Sequence, residues 1–135
     1  MSNEKPIMQD NLESMLHKGV EHILMINQNG RAESMISKNK ISFSKERQEI
    51  LFMGFRLHQS LLQDFDDEFG SVEHFVVCRK NAKIVSVPFG SRNLVFIMDK
   101  KSDHEYVVKR TNMIRNNNFC TPELKPLTAE VLIDG

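Results

Sequence analysis

The hydrophobic positions of residues 44–70 repeat at the spacing of an α-helix, but they cover an unusually wide part of its surface. At about 100° per residue, they form two adjacent lines along the helix. The first line contains Phe43, Ile50, Gly54, Leu57 and Leu61, and the second contains Leu51, Phe55 and Leu62. Together the lines span about 200°, whereas a surface helix usually buries a stripe of about 100°. We therefore expect a second molecule to cover the part of this arc that the domain's own core leaves exposed.

Apolar spacing before this helix predicts another helix and a hairpin. Helical spacing ends at Gly19, a residue suited to close a helix, and the apolar positions are Ile7, Met8, Leu12, Met15 and Leu16. Two apolar segments, residues 20–27 and 31–37, flank Asn29-Gly30, a strong hairpin signal because both residues tolerate positive φ. Ser44 is suited to cap the long helix, which is predicted to continue to about Phe65.

The second half of the chain predicts three strands and a last helix. The strands are residues 72–79, 83–87 and 92–98. Pro88 is expected to end the second of them, because it lacks the N–H that a central strand needs. The third is continuously apolar, which favours the middle of the sheet. A capping-box pattern at Ser102 and Glu105 predicts a helix to about Arg115. The predicted order is α-β-β-α-β-β-β-α within one domain, residues 1–115.

Residues 116–135 are interpreted as a C-terminal tail. Pro122 and Pro126 interrupt this segment, and residues 128–133 resemble a short strand. Two interpretations stay open. The tail is either partly ordered, as is common at termini, or an interaction arm in which residues 131–133 add a strand to a neighbouring surface.

Charge and composition exclude several classes of function. Eighteen basic residues balance eighteen acidic ones, so no overall field draws the chain to nucleic acid or to an anionic membrane. Residues 79–115 are locally basic and residues 64–73 locally acidic, and each stretch is either a solvated face or a docking surface.

The first residues lack the apolar core of a signal peptide, and the longest apolar run, residues 94–98, is too short to span a bilayer. Two cysteines do not build a disulfide framework. We expect a cytoplasmic protein without membrane insertion.

The polar residues do not predict a catalytic, cofactor or metal site. His22 and His74 each follow a Val-Glu pair, but neither has a second ligand at i+2 or i+4 with which to bind a metal. Cys78 lies within an apolar strand and is interpreted as a core residue. The serines lack a nucleophile turn, the carboxylates lack the spacing of a calcium loop, and the glycines form no phosphate-binding loop. The sequence therefore predicts a non-enzymatic protein.

The order of elements resembles that of profilin-like α/β (α+β) domains and is most similar to the roadblock family of dynein light chain-type proteins. The resemblance covers residues 9–115 and is carried by the Asn29-Gly30 hairpin, the long helix of residues 44–65 and the strands of residues 72–98. It implies a central five-stranded antiparallel sheet, order 2-1-5-4-3, with helices on both faces. It also implies a homodimer, in which the third strand and the long helix meet their copies across a two-fold axis.

The same resemblance assigns residues to the interface of this dimer. They lie on the long helix and the third strand: Leu51, Phe52, Gly54, Phe55, His58, Leu62, Val72, His74, Val76 and Cys78. Gly54 would let the two helices approach closely, because it has no side chain.

Two functions are compatible with these patterns. The resemblance implies a dimeric scaffold or adaptor that docks a protein partner, with small GTPases as the partner class. The alternative is a sensory domain of the PAS or GAF type, in which phenylalanine and methionine side chains line a cavity for a small ligand. A longin-like trafficking domain contains the same kinds of strands and helices.

Overall fold

The computed structural model describes residues 12–117 and 131–132, which are organised around one six-stranded sheet. The strands are β1 (Val20–Ile26), β2 (Ala32–Ser37), β3 (Phe75–Cys78), β4 (Lys83–Phe89), β5 (Arg92–Met98) and β6 (Val131–Leu132). The helices are α1 (Lys45–Gln63), α2 (Asp66–Phe69) and α3 (His104–Asn117), and a 3-10 turn at Met15–His17 precedes β1. The spatial order is β3-β4-β5-β1-β2-β6. From β3 to β2 all pairs are antiparallel, which confirms the predicted order 2-1-5-4-3, whereas β6 runs parallel to β2.

Alternate residues of the strands build two apolar clusters, one on each face of the sheet. On one face, Val107 of α3 packs in a cluster with Phe96 of β5, together with the residues of the turn before β1. On the opposite face, Phe52 and Phe55 of α1 pack in a cluster with Val95 of β5. Strand β5 contributes to both clusters and lies between β4 and β1, so the inner position that its apolar run predicted is confirmed.

The β1–β2 hairpin forms at the predicted Asn-Gly pair, although only one of the two residues has positive φ. Gly30 has φ +80°, whereas no described residue other than glycine has positive φ. The Asn27 side chain accepts hydrogen bonds from the backbone N–H groups of Asn29 at 2.9 Å and Arg31 at 3.1 Å. The turn is therefore longer than a two-residue type I′ turn, and the Asn27 carboxamide stabilises it.

Helix α1 begins where the sequence predicts it. Ser44 has extended backbone angles, and its hydroxyl oxygen accepts a hydrogen bond from the backbone N–H of Arg47 at 3.2 Å. This bond satisfies one of the N–H groups that the first helical turn leaves without a partner.

Strand β4 continues through Pro88, so the prediction that Pro88 ends the strand is wrong. Pro88 lies opposite Asn93 of β5. On its other side, the pairing with β3 stops at Ser86. No described strand beyond Ser86 therefore requires the N–H that Pro88 lacks, and the proline is accommodated in the sheet.

Helix α3 begins without the predicted capping box at Ser102. The carboxylate of Asp103 accepts a hydrogen bond from the backbone N–H of Glu105 at 2.9 Å, and the helix starts at His104. An aspartate can cap a helix as well as a serine does. The prediction of a helix here is therefore confirmed, but the predicted cap at Ser102 is wrong.

Parts of the predicted terminal elements lie outside the described residues. Ile7 and Met8 of the predicted first helix are outside them, and residues 12–17 are helical. Within the predicted tail, β6 pairs with β2 of the same chain, Val131 opposite Ile36. The division into a domain of residues 1–115 and a tail of residues 116–135 stays a prediction. None of the described helices has the length and apolarity needed to cross a membrane.

Candidate functional site

Helix α1 carries an exposed apolar stripe on the side that faces away from the sheet. We call this surface the outer stripe; it consists of Ile50, Met53, Gly54, Leu57 and Leu61. The four side chains other than glycine are 68%, 57%, 61% and 57% exposed, in that order. The opposite side of α1 is buried against the sheet through Phe52, Phe55 and Gln59. Helix α1 therefore has two apolar sides, and the described residues cover only one of them.

Gly54 lies near the middle of the outer stripe and faces open space. Apart from its chain neighbours and the backbone of its own helix, a methyl group placed at its α-carbon would meet no described atom within 4 Å. Internal packing therefore does not explain a glycine here, although glycine lowers the stability of a helix interior by roughly 1 kcal/mol relative to alanine. That Gly54 allows the helix of a second molecule to approach closely stays a prediction.

Two residues assigned to the dimer interface belong to the core instead. Phe52 and Phe55 are only 4% and 7% exposed and pack beneath α1. Leu51 is half-buried and packs against the same cluster, and Leu62 is half-buried as well. The reason for the difference is the rotation of the helix about its axis. It turns the line of Leu51, Phe55 and Leu62 toward the sheet and leaves the line that contains Ile50 and Leu57 outside.

The other assigned residues lie at or near strand β3, whose outer edge is unpaired within the described part of the chain. The strand begins at Phe75, so Val72 and His74 belong to the segment that leads into it. Val76 is half-buried, and Cys78 is exposed. Cys78 is therefore not the core residue that its apolar context predicted, because it is the last residue of a short edge strand.

Contact between aromatic rings connects α1 with β3. The ring centroids of His58 and Phe75 are 4.8 Å apart, with an angle of 57° between their planes. His58 itself is exposed and lies beside Leu57 of the outer stripe. The outer stripe and the edge of β3 consequently adjoin each other on one side of the molecule, where together they form the candidate interaction surface.

A buried polar network joins α1 to the sheet, and sequence reasoning missed it. Asn93 of β5 donates hydrogen bonds to Ser86 at 2.9 Å and to Gln59 at 3.2 Å, and it accepts one from Arg56 at 2.9 Å. Asn93 and Ser86 are fully buried, and Gln59 is 1% exposed. The sequence contains one signal of this network: Ser86 and Asn93 are polar residues within apolar strands, and Gln59 is a polar residue on the buried side of a helix. The network holds α1 at one rotation over the sheet, which places the outer stripe outside.

Replacing Asn93 by alanine is expected to destabilise the protein by about 2–4 kcal/mol, because two buried partners, Ser86 and Gln59, and the half-buried Arg56 would each lose a hydrogen bond. Urea unfolding followed by circular dichroism measures this change. Asn29→Ala, in the exposed hairpin turn, serves as the control and should change stability by less than about 1 kcal/mol. A stability of Asn93→Ala equal to that of the control would contradict the role of the network.

The histidine pair considered as metal ligands is not brought together. His22 lies on β1, where its Nδ1 atom is 2.9 Å from the hydroxyl of Ser37, whereas His74 precedes β3. Strands β1 and β3 are separated by β4 and β5, a distance of about 14 Å at ordinary strand spacing. Among the residues that the structure describes, no group of three or more histidine, cysteine or acidic side chains could hold a metal ion.

Comparison with known proteins identifies the fold. No family model matches the sequence, and a search of curated proteins finds no match.

Solved structures do match. A roadblock/LC7 domain from Streptomyces avermitilis aligns with a TM-score of 0.62 at 12% identity, over 78% of this chain and 88% of that chain. The gliding protein MglB from Thermus thermophilus aligns with a TM-score of 0.62 at 14% identity, over 78% and 80% of the respective chains. An MglB structure with a tetrameric arrangement aligns with a TM-score of 0.63 at 13% identity, over 84% and 87%. The chain therefore has the fold of a roadblock domain.

Proposed function

We propose that this protein is a non-enzymatic homodimeric scaffold that docks a protein partner. The observation that carries the proposal is the outer stripe, where Ile50, Met53, Leu57 and Leu61 are each more than half exposed. Large contiguous apolar surfaces are uncommon on monomeric soluble proteins and usually mark interaction sites. Beside the stripe, the outer edge of β3 pairs with no described strand, so its backbone groups belong to the same surface.

A two-fold arrangement would cover both features at once. In it, the outer stripe packs against the stripe of a second copy, and β3 pairs antiparallel with its copy. Gly54 would lie between the two helices, where the absence of a side chain permits close contact. An interface of this kind is self-complementary, because each copy contributes the same residues.

Burial of the outer stripe would contribute favourably to association. Full burial of one leucine, isoleucine or methionine side chain contributes about 1.5–3 kcal/mol. The four side chains of the outer stripe are roughly half to two-thirds exposed, so covering them on both copies would contribute several kcal/mol per copy before the entropic cost of association. A dissociation constant of about 1 μM corresponds to about 8 kcal/mol net of the entropic cost, so the proposed interface also requires the pairing of β3 with its copy.

The resemblance to roadblock domains supports small GTPases as the partner class of the scaffold. Among the similar structures, one is a gliding protein and another has a tetrameric arrangement, so this fold occurs in assemblies. No observation on the described residues favours the sensory alternative with a bound small molecule over the scaffold.

Sedimentation equilibrium of the 135-residue chain tests the proposal. At micromolar concentration we expect twice the chain mass of 15.6 kDa, with a shift toward the single chain on dilution. A mass of one chain across the whole micromolar range would refute the dimer. A co-purifying small molecule detected by native mass spectrometry would instead support the sensory alternative.

A further inference from the structure

A surface groove lies beyond the end of α1, where α1, α2 and the segment leading to β3 meet. Its volume is about 360 Å³, and its walls include Leu62, Phe65, Phe69, Val72 and His74. The groove belongs to one protomer, because all of its residues come from a continuous segment of the chain, residues 62–74. It contains no residue of the outer stripe, but it shares Leu62, Val72 and His74 with the residues that the resemblance assigned to the dimer interface.

Two aromatic side chains of this groove are open to solvent. Phe69 is 85% exposed, the highest value among the large hydrophobic residues that are described, and Phe65 is 55% exposed. Phe69 is the last residue of the four-residue helix α2, and the described residues cover little of its side chain. Exposed aromatic residues beside a concave surface are typical anchors of protein interfaces, because they bury a large area with little loss of side-chain entropy.

The chain segment that forms the groove carries acidic residues and no basic ones. Residues 57–78 contain five carboxylates and no lysine or arginine, although the whole chain has balanced charge. The carboxylates are Asp64, Asp66, Asp67, Glu68 and Glu73. All of them except Asp66 are exposed. Glu73 lines the groove, and the other four lie within two residues of Phe65 or Phe69 in the sequence; we call these five carboxylates the acidic rim. An apolar groove with an acidic rim is complementary to a segment that combines apolar side chains with lysine or arginine.

We infer that this groove docks a basic amphipathic segment of a protein partner. Apolar side chains of the segment pack against Phe65 and Phe69, and its lysine or arginine side chains face the acidic rim. A second copy of the groove does not fit there, because a two-fold contact of the groove with itself would place carboxylates against carboxylates. The inference rests on the proposed scaffold function, since it states the chemistry of the partner that the scaffold receives.

A labelled synthetic helix of leucine and lysine, with leucine at i, i+3, i+4 and i+7, serves as the probe. Fluorescence anisotropy with the 135-residue chain should show binding, and the same helix with glutamate in place of lysine should not bind. Phe69→Ser should weaken binding by about tenfold or more, because it removes an exposed anchor. Glu68→Lys should weaken binding about fivefold at low salt and less at high salt, because ions screen the lost attraction.

Matched variants elsewhere on the surface make the result specific to the groove. Met113→Ser removes a hydrophobic side chain on α3 that is 53% exposed, and Glu21→Lys reverses an exposed charge on β1. Both should bind the lysine helix as the wild type does, and circular dichroism should show that all four variants are folded. Equal weakening by the groove variants and the control variants would overturn the inference, as would tight binding of the glutamate helix.

Solution mass separates this inference from the proposed dimer. Phe69→Ser and Glu68→Lys should leave the mass unchanged, whereas a loss of mass would show that a second copy occupies the groove and would overturn the inference. If the wild type is monomeric, the scaffold dimer fails, but the groove lies within one protomer and its peptide binding is still expected.

Discussion

Replacing Leu57 by aspartate is expected to dissociate the proposed dimer while the protomer stays folded. Leu57 is 61% exposed and belongs to the outer stripe, so the change removes no core packing. In the proposed interface, each copy would place a carboxylate against the apolar stripe of the other, and the two carboxylates would repel each other. We expect the dimer dissociation constant to rise by about 100-fold or more, which corresponds to about 3 kcal/mol.

Sedimentation equilibrium at matched concentrations measures this change. Met113→Asp is the control, because Met113 is 53% exposed on α3, in a different part of the surface. The control should keep the wild-type mass. If Leu57→Asp also keeps the wild-type mass at low micromolar concentration, the outer stripe is not the dimer interface.

Replacing Phe55 by aspartate is expected to unfold the protomer, although Phe55 lies only two residues from Leu57. Phe55 is 7% exposed and packs in the cluster between α1 and the sheet. Loss of a buried phenylalanine costs about 3–5 kcal/mol. A carboxylate at the same place adds a desolvation cost of several kcal/mol unless it becomes protonated. The sum is comparable to the whole free energy of unfolding of an ordinary domain, which is about 5–15 kcal/mol.

Circular dichroism and urea unfolding check this expectation, with Leu57→Asp as the matched variant on the same helix. The Phe55 variant should lose its cooperative transition or shift it to a much lower urea concentration. The Leu57 variant should unfold at about the same urea concentration as the wild type, when the wild type is measured at a concentration low enough for it to be monomeric. Equal stability of the two variants would mean that α1 is rotated differently about its axis.

The opposite outcomes expected at positions 55 and 57 follow from a limit of helical periodicity: apolar spacing alone does not define which side of a helix is buried. The spacing of Ile50, Leu57 and Leu61 places these residues on one line, and the width of the apolar arc predicts more surface than one sheet buries. Periodicity defines the angles between residues around the helix axis, but it does not define the rotation of the helix relative to the sheet. That rotation is decided by the packing of Phe52 and Phe55 and by the hydrogen bonds of Asn93.

The polar network shows a second limit of sequence reasoning. Arg56 and Asn93 are 37 residues apart, and Gln59 and Asn93 are 34 apart. Each of these residues, considered alone in the sequence, is compatible with an exposed position. Their contact depends on the packing of α1 against the start of β5, and no local sequence pattern contains that information.

Edge strands were also difficult to interpret from the sequence. The apolar residues around Cys78 predict a buried strand, but β3 is the outermost strand on its side of the described sheet, and the thiol is exposed. Conversely, residues 131–132 lie far from β2 in the sequence and pair with it in the fold. Edge and centre positions depend on which strands are neighbours, a property of the whole sheet.

The sequence by itself determined the local features of this protein: the Asn29-Gly30 hairpin, the Ser44 cap and the excess of apolar surface on one long helix. These features arise from interactions between residues close in the chain, so composition and spacing contain them. The tertiary structure decided which line of that helix is exposed, which strand edge is open and where aromatic residues meet carboxylates in a groove. These properties depend on contacts between distant segments, and such contacts form only when the helix and the sheet pack together.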